Sequence, residues 1–231
     1  MIILITGTRK GIGQELAQHF LDAGHTVIGC SRGAASIVHP DYLHFCLSVG
    51  DAAAVKAMMR DIRKRYGELN ALINNAGMAM MAPFQLTPSS AITELFETNV
   101  FGVMTVSREA IKLLSKSSGG AAILNISTVA TSWSIPGQSI YAASKAAVEQ
   151  LTRTLSRELA GANIRVNNVL LPLYRSSMTR VLPPESKQKM IAQQTIQREC
   201  SFADLVGPIQ FLISGSASFI TGESLALGGG R

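Results

Sequence analysis

Short apolar runs alternate with longer segments of helical periodicity from one end of the chain to the other, and that alternation leaves few folds open. IILIT (2–6), TVIGCS (26–31), YLHFCL (42–47), ALINNA (71–76), AAILNIS (121–127), IRVNNVLL (164–171) and ESLAL (223–227) are the strand candidates. AAILNIS is continuous enough to be a strand buried on both faces. Between the runs, residues 12–23 repeat apolar groups at Ile12, Leu16, Phe20 and Ala23 before Gly24. A second helix runs from an Asp51 cap to about Tyr66, a long one covers 88–116 behind TPSS, and another covers 141–160 and stops near Gly161. Right-handed crossovers then give an α/β, doubly wound fold: a seven-stranded, mostly parallel sheet with helices on both faces and ligands beyond the carboxyl ends of the strands. With 231 residues, one domain spanning 1–231 is expected.

Composition narrows the function classes. At 47% hydrophobic and 16% charged, the chain is not a disordered one. No apolar run reaches 18 residues, and MIILITGT enters a strand at once without a basic leader or cleavage site, so a cytoplasmic protein with no membrane partner is expected. Cys30, Cys46 and Cys200 are odd in number and lack CxxC spacing, which reads as small buried hydrophobes and not as a disulfide framework or zinc site. His19, His25, His39 and His44 form no metal-ligand pattern, so solvated or packing roles and no metal are expected. The net charge is +6, and RDIRKRYG (60–67) is the densest basic run. Met58, Met59, Ile62 and Tyr66 recur at helical spacing from Val55, so those cations lie on the solvated face of an amphipathic helix and no nucleic-acid partner is expected.

After the first strand comes TGTRKGIG, with Gly7, Gly11 and Gly13 ahead of the first helix. Glycines there permit a tight turn and close approach of a pyrophosphate, whose charge meets the amides of the helix N-terminus. The spacing is G-x3-G-x-G and differs from the general dinucleotide fingerprint; a plain tight turn is the competing reading. The second strand ends at Ser31, followed by Arg32, where NAD-binding folds usually place an acid against the ribose 2′-hydroxyl. Arg32 with Lys10 or Arg9 would clamp a 2′-phosphate, so NADP(H) is expected over NAD(H), unless these are mere surface charges.

Tyr141 and Lys145, in YAASK, stand one turn apart on one helical face. A free phenol has a pKa of about 10; a neighbouring ammonium and a cationic nicotinamide ring favour its ionised form, and Tyr141 then serves as general acid or base. In order along the chain, TGTRKGIG, NNAG (74–77), Asn99 in TNVFG, YAASK, IRVNNVLLP (164–172) and FITGESLALGGG (219–230) resemble the short-chain dehydrogenase/reductase family in its compact, single-domain, Rossmann-type form. The nearest look is that of bacterial 3-oxoacyl-carrier-protein reductases.

The resemblance implies roles position by position. Gly7, Gly11, Ile12 and Gly13 match the pyrophosphate turn; Asn75, Ala76 and Gly77 match a cofactor-side loop; Val49 falls where an adenine contact is usual. With Arg9, Lys10, Ser31, Arg32, Pro172, Tyr141 and Lys145 they make up the expected cofactor set. Lys145 is expected to hold the nicotinamide ribose and lower the pKa of Tyr141, and Asn99 to fix a backbone kink and a water of the proton relay. The family's carbonyl-orienting serine lies thirteen positions before the tyrosine, which is Thr128 here; Ser127, its neighbour on a strand, points the other way. Departures from the pattern are Pro172-Leu173 in place of proline-glycine, Ser48 in place of an aspartate at the adenine, and LGGG (227–230) without an aspartate before its glycines.

The expected activity is hydride transfer between NADP(H) and a carbonyl or secondary alcohol, in the reductive direction. A 3-oxoacyl thioester, carried by CoA or a carrier protein, is the first substrate, followed by a keto-sugar or a small polyketide intermediate. Residues 173–200 are a candidate substrate lid whose Arg175, Arg180, Lys187, Lys189 and Arg198 suit an anionic substrate or an acidic carrier, or are simply solvated. Met78, Met80 and Met81, with Trp133 and Ile135, either line an apolar substrate slot or pack under a loop. The resemblance further implies a homodimer or homotetramer formed through the helices at 88–116 and 141–160. The alternative from another class is a non-catalytic NADP(H) sensor or scaffold on the same fold.

Overall fold

The structure, a computed structural model, describes residues 1–175, 179 and 183–229. In chain order its elements are β1 (Ile2–Thr6), α1 (Ile12–Asp22), β2 (Thr26–Ser31), β3 (Tyr42–Cys46), α2 (Ala52–Tyr66), β4 (Ala71–Asn74), α3 (Ser89–Phe96), α4 (Gly102–Leu114), β5 (Ala121–Thr128), α5 (Ala130–Trp133), α6 (Ser139–Glu158), β6 (Ile164–Leu171), α7 (Pro184–Ala192), α8 (Phe202–Ile213) and β7 (Ser224–Ala226). The strands form one sheet in the order β3-β2-β1-β4-β5-β6-β7, and every neighbouring pair is parallel. The order reverses between β1 and β4, so the crevice for a ligand opens above their carboxyl ends.

Two apolar layers hold the helices on the sheet. On one face Leu16, Phe20 and Leu21 of α1 and Leu205, Ile209 and Leu212 of α8 cover Ile3, Ile5, Ile73 and Val169. On the other, Val55, Met58 and Ile62 of α2 and Val106, Ala110 and Leu113 of α4 cover Leu4, Ile28, Leu72 and Ile123. The basic run of α2 therefore faces outward, as its spacing required. Strands buried on both faces must pair every polar group they carry. Asn74, Asn125 and Asn168 do so in a buried ladder that leaves only Asn74 Oδ1 among these side-chain atoms without a partner: Asn74 Nδ2 donates to Asn125 Oδ1 (2.8 Å), Asn125 Nδ2 to Thr152 Oγ1 (2.8 Å), Thr152 Oγ1 to Asn168 Oδ1 (2.7 Å), and Asn168 Nδ2 to Ser224 Oγ (2.9 Å).

Three expectations need correction. The long helix over 88–116 is α3 and α4 joined through a π-helical turn, Glu97–Phe101, which shifts the helix by a residue around Asn99. α8 had no expected counterpart because its sequence is apolar on nearly every side and carries Pro208 inside, which masks the helical period. Its start is explicit all the same: the Ser201 amide donates to Asp204 Oδ2 at 2.8 Å, a capping box. Cys46 is exposed at the sheet edge, whereas Cys30 and Cys200 are buried.

Candidate active site

A cavity of about 720 Å³ runs above the switch point from Arg9, Lys10 and Arg32 at one end to Thr128, Tyr141 and Lys145 at the other. Every residue of the expected cofactor set lines it. At its near end the chain turns from β1 into α1 with Gly7 at φ +77° and Gly11 at φ +60°. A side chain on Gly7 would lie 3.0 Å from the Ala76 Cα, and one on Gly13 would strike the Gly7 carbonyl, so the turn closes only with glycine at both places. Gly11 gives α1 no side-chain cap, leaving the amides of the first turn without a side-chain partner at the cavity wall. Asn75 braces this turn from below: its Nδ2 donates to the Thr6 carbonyl (2.9 Å), and its amide donates to Thr6 Oγ1 (3.0 Å).

The end of β2 carries the positive charge. Arg9 lies across Gly33, where a Cβ would come within 2.5 Å of its Nη1, and Arg32 reaches Glu94 at 3.9 Å across exposed surface. An ion pair that long and that exposed holds Arg32 weakly. Ser48 and Val49 line the wall beyond, and Val49 fills the space over Gly102 at the start of α4.

At the far end β5 and α6 set the candidate catalytic groups. The Ser127 hydroxyl turns into the protein and donates to Glu149 Oε1 at 2.8 Å, whereas Thr128 faces the cavity beside Tyr141. Strand alternation separates the two as expected. Lys145 is buried and donates from Nζ to the Ile126 carbonyl at 2.8 Å. Burial lowers its pKa to about 8, with Glu149 one turn along opposing the shift. Asn99 is fully buried in the π-helical turn; its Oδ1 accepts from the Met78 amide (2.8 Å), and its Nδ2 donates to the Met78 carbonyl (2.9 Å) and Ser144 Oγ (3.1 Å). Gly77 leaves room between them, since a Cβ there would lie 3.3 Å from Asn99 Oδ1 and 3.5 Å from Lys145 Nζ.

The Tyr141 phenol is pushed above its ordinary value by burial, and the Thr128 hydroxyl draws it only part of the way back.

A short chain dehydrogenase family model matches residues 1–187. The chain belongs to the short-chain dehydrogenase family. Among characterised relatives, this short-chain dehydrogenase is 32% identical to a 3-oxoacyl-[acyl-carrier-protein] reductase of Staphylococcus aureus, over 98% of this chain and 96% of that one. Among solved structures it superposes on a gluconate 5-dehydrogenase of Burkholderia cenocepacia in complex with NADP and tartrate (TM-score 0.92, 26% identity, 99% and 93% of the two chains). It superposes equally on a 3-ketoacyl-(acyl-carrier-protein) reductase of Brucella melitensis complexed with NADH (TM-score 0.91, 26% identity, 100% and 97%).

One departure from the family pattern, Leu173, resolves structurally in this dehydrogenase. Leu173 replaces a glycine without strain, because positive φ among described non-glycine residues occurs only at Ser134 and Asn163. Leu173 is buried, with its amide on Gln194 Oε1 (3.3 Å) and its carbonyl taking the Cys200 amide (2.9 Å), so both ends of the 173–200 segment are tied together. Met78, Met80, Met81 and Ile135 line the cavity, and Trp133 does not. Of the lid cations, Arg198 is committed to Asp204 through two 2.6 Å contacts; Arg175, Lys187 and Lys189 lie outside the cavity wall, and Arg180 falls outside the described residues. No helix among the described residues is long and apolar enough to cross a membrane.

Sequence reasoning missed two groups. Gln138, three residues before Tyr141 at the start of α6, lines the cavity, and its buried Oε1 has no hydrogen-bond partner. The spacing from the tyrosine places it on the reactive face of the helix and was available as a signal. The other group is Thr8, Tyr42 and His44, which meet behind the cationic end. Tyr42 and His44 share one face of β3, but no local pattern joins them to Thr8, which lies in the turn after β1.

Proposed function

We propose that this short-chain dehydrogenase is an NADP(H)-dependent reductase of a 3-oxoacyl thioester or a similar ketone. The observation that carries the reading is one continuous cavity with a three-cation end over the β1 and β2 turns and a Tyr141–Thr128 end over β5 and α6. The glycine turn, the uncapped N-terminus of α1 and the three cations fit a dinucleotide that carries an extra phosphate. When bound, the reduced nicotinamide supplies the hydride.

The remaining chemistry belongs to the chain. Tyr141 stays protonated through neutrality, so it is ready to give its proton to the substrate oxygen as the carbonyl is reduced. Thr128 holds that oxygen by a second hydrogen bond and excludes water with its methyl group. Lys145 and Asn99 sit next to each other across Gly77, where the ammonium can hold a ribose hydroxyl and refill the proton, and Asn99 fixes the π-helical turn and the Met78 loop. Met78, Met80, Met81 and Ile135, with Leu173, Thr179 and Met190 from the 173–200 segment, give an apolar wall suited to an acyl chain.

The relatives named above support the thioester and leave the nucleotide open, since one was solved with NADP and another with NADH. Ser31, Arg32, Arg9 and Lys10 of this chain favour NADPH. A cytoplasmic homo-oligomer completes the reading, and the exposed Phe101 and Met104 at the start of α4 support pairing through that helix. The test is NADPH consumption with 3-oxoacyl thioesters of CoA and carrier protein beside keto-sugars and simple ketones. Turnover fastest with the thioesters is expected; no turnover across the panel, with NADPH still bound, returns the protein to the sensor class.

A further inference from the structure

The three cations at the nucleotide end ride on two separate turns, and the residue ahead of the cations in each turn is anchored behind the cavity wall. Thr8 precedes Arg9 and Lys10, and it is fully buried. Ser31 precedes Arg32, and its hydroxyl donates to the Gly33 carbonyl at 3.0 Å. β3 joins them. Tyr42 and His44 stand two residues apart and therefore on one face of that strand. The Tyr42 hydroxyl is 2.8 Å from Thr8 Oγ1 and 2.9 Å from His44 Nδ1. His44 Nε2 is 3.1 Å from both Ser31 Oγ and the Gly33 carbonyl. Gly29, in β2, has no side chain to block this crossing; a Cβ there would collide with both the Tyr42 and Thr8 hydroxyls.

A backbone carbonyl only accepts, so the imidazole presents an N–H from Nε2 to Gly33, while Nδ1 lies against the Tyr42 hydroxyl, which donates to Thr8 Oγ1. None of Thr8, Tyr42 and His44 lines the cavity. They act on it only through the turns they hold. Both nucleotides place their pyrophosphate on the Thr8 turn, but only a 2′-phosphate is clamped between the cations of the two turns, so an error in the spacing of the turns falls more heavily on NADPH than on NADH.

We propose that His44 is a positioning residue that sets nucleotide discrimination by locking the Ser31 turn to the Thr8 turn, a role that rests on the NADP(H) reading above. The experiment titrates the full chain with NADPH and with NADH and measures kcat at saturating NADPH. His44→Leu is expected to raise the dissociation constant for NADPH about tenfold, the scale of one lost charge-assisted contact, with NADH changed less than twofold and kcat retained. His44→Gln, whose amide still reaches Gly33 as a donor, recovers most of the NADPH affinity. Equal weakening of both nucleotides, or an unaltered NADPH constant in a folded variant, overturns the proposal. If His44→Leu does not fold, Tyr42→Phe cuts the same chain while keeping the ring, and the same comparison decides. A parent protein that binds NADH more tightly than NADPH is a different result: it overturns the NADP(H) reading and this role with it.

Discussion

Ser127 and Thr128 are neighbours at the carboxyl end of β5 with their hydroxyls on opposite sides of the strand, one on Glu149 at 2.8 Å and the other in the cavity beside Tyr141. Because the cavity-side hydroxyl is the one within reach of a substrate oxygen, Thr128→Val is expected to lower kcat by about a hundredfold, the scale of one lost oxyanion donor, with NADPH affinity unchanged. Ser127→Ala keeps kcat within a few fold and costs about 1 kcal/mol of stability through the lost bond to Glu149. Steady-state kinetics with denaturant titration separates the two; a larger kcat loss in Ser127→Ala reverses the assignment.

Burial gives Lys145 a folded-state pKa of about 8, below its ordinary 10.5. Between those values the unfolded chain holds a proton that the folded chain lacks, so stability rises with pH across that window. The full effect is at most roughly 3 kcal/mol. Tyr141 is shifted up from 10, so above that pH the folded chain binds the extra proton and the trend from this group turns downward. The thermal midpoint of the parent, measured against Lys145→Met from pH 7.5 to 10, should climb relative to the variant. A flat difference means that the ammonium is not buried as described.

The amide ladder through Asn74, Asn125 and Asn168 makes its own prediction. Asn125→Ala takes away one of the two acceptors of the Asn74 amide, leaving Ser107 Oγ, and removes the bond to Thr152, all inside the sheet. A loss of about 2–4 kcal/mol in denaturant unfolding is expected, since buried partners are left unsatisfied. A loss under 1 kcal/mol would mean that water reaches these groups.

Much of this was legible in the chain because the features are local. All seven strands stand where continuous apolar runs put them, and β2 and β6 agree with TVIGCS and IRVNNVLL residue for residue. Tyr141, Lys145, Thr128 and the glycine turn meet in one cavity because strand ends and helix starts of a doubly wound sheet converge there. What stayed hidden is what depends on side chains from distant strands. His44 was open to a solvated or a packing role, and its partners Tyr42, Ser31 and Gly33 come partly from another strand and the turn after it; the bond from Lys145 to the Ile126 carbonyl likewise joins a helix to a distant strand. α8 was obscured for another reason: apolar residues on most sides and Pro208 inside blur the period that Leu205, Ile209 and Leu212 keep.

Tyr141→Phe removes one oxygen from the cavity and nothing from the nucleotide end. The most direct measurement is the single-turnover rate of NADPH consumption with a 3-oxoacyl thioester, parent against Tyr141→Phe, alongside the NADPH dissociation constant of each. The account predicts a rate at least a hundredfold lower with the dissociation constant unchanged. A variant that reduces the thioester at the parent's rate contradicts it.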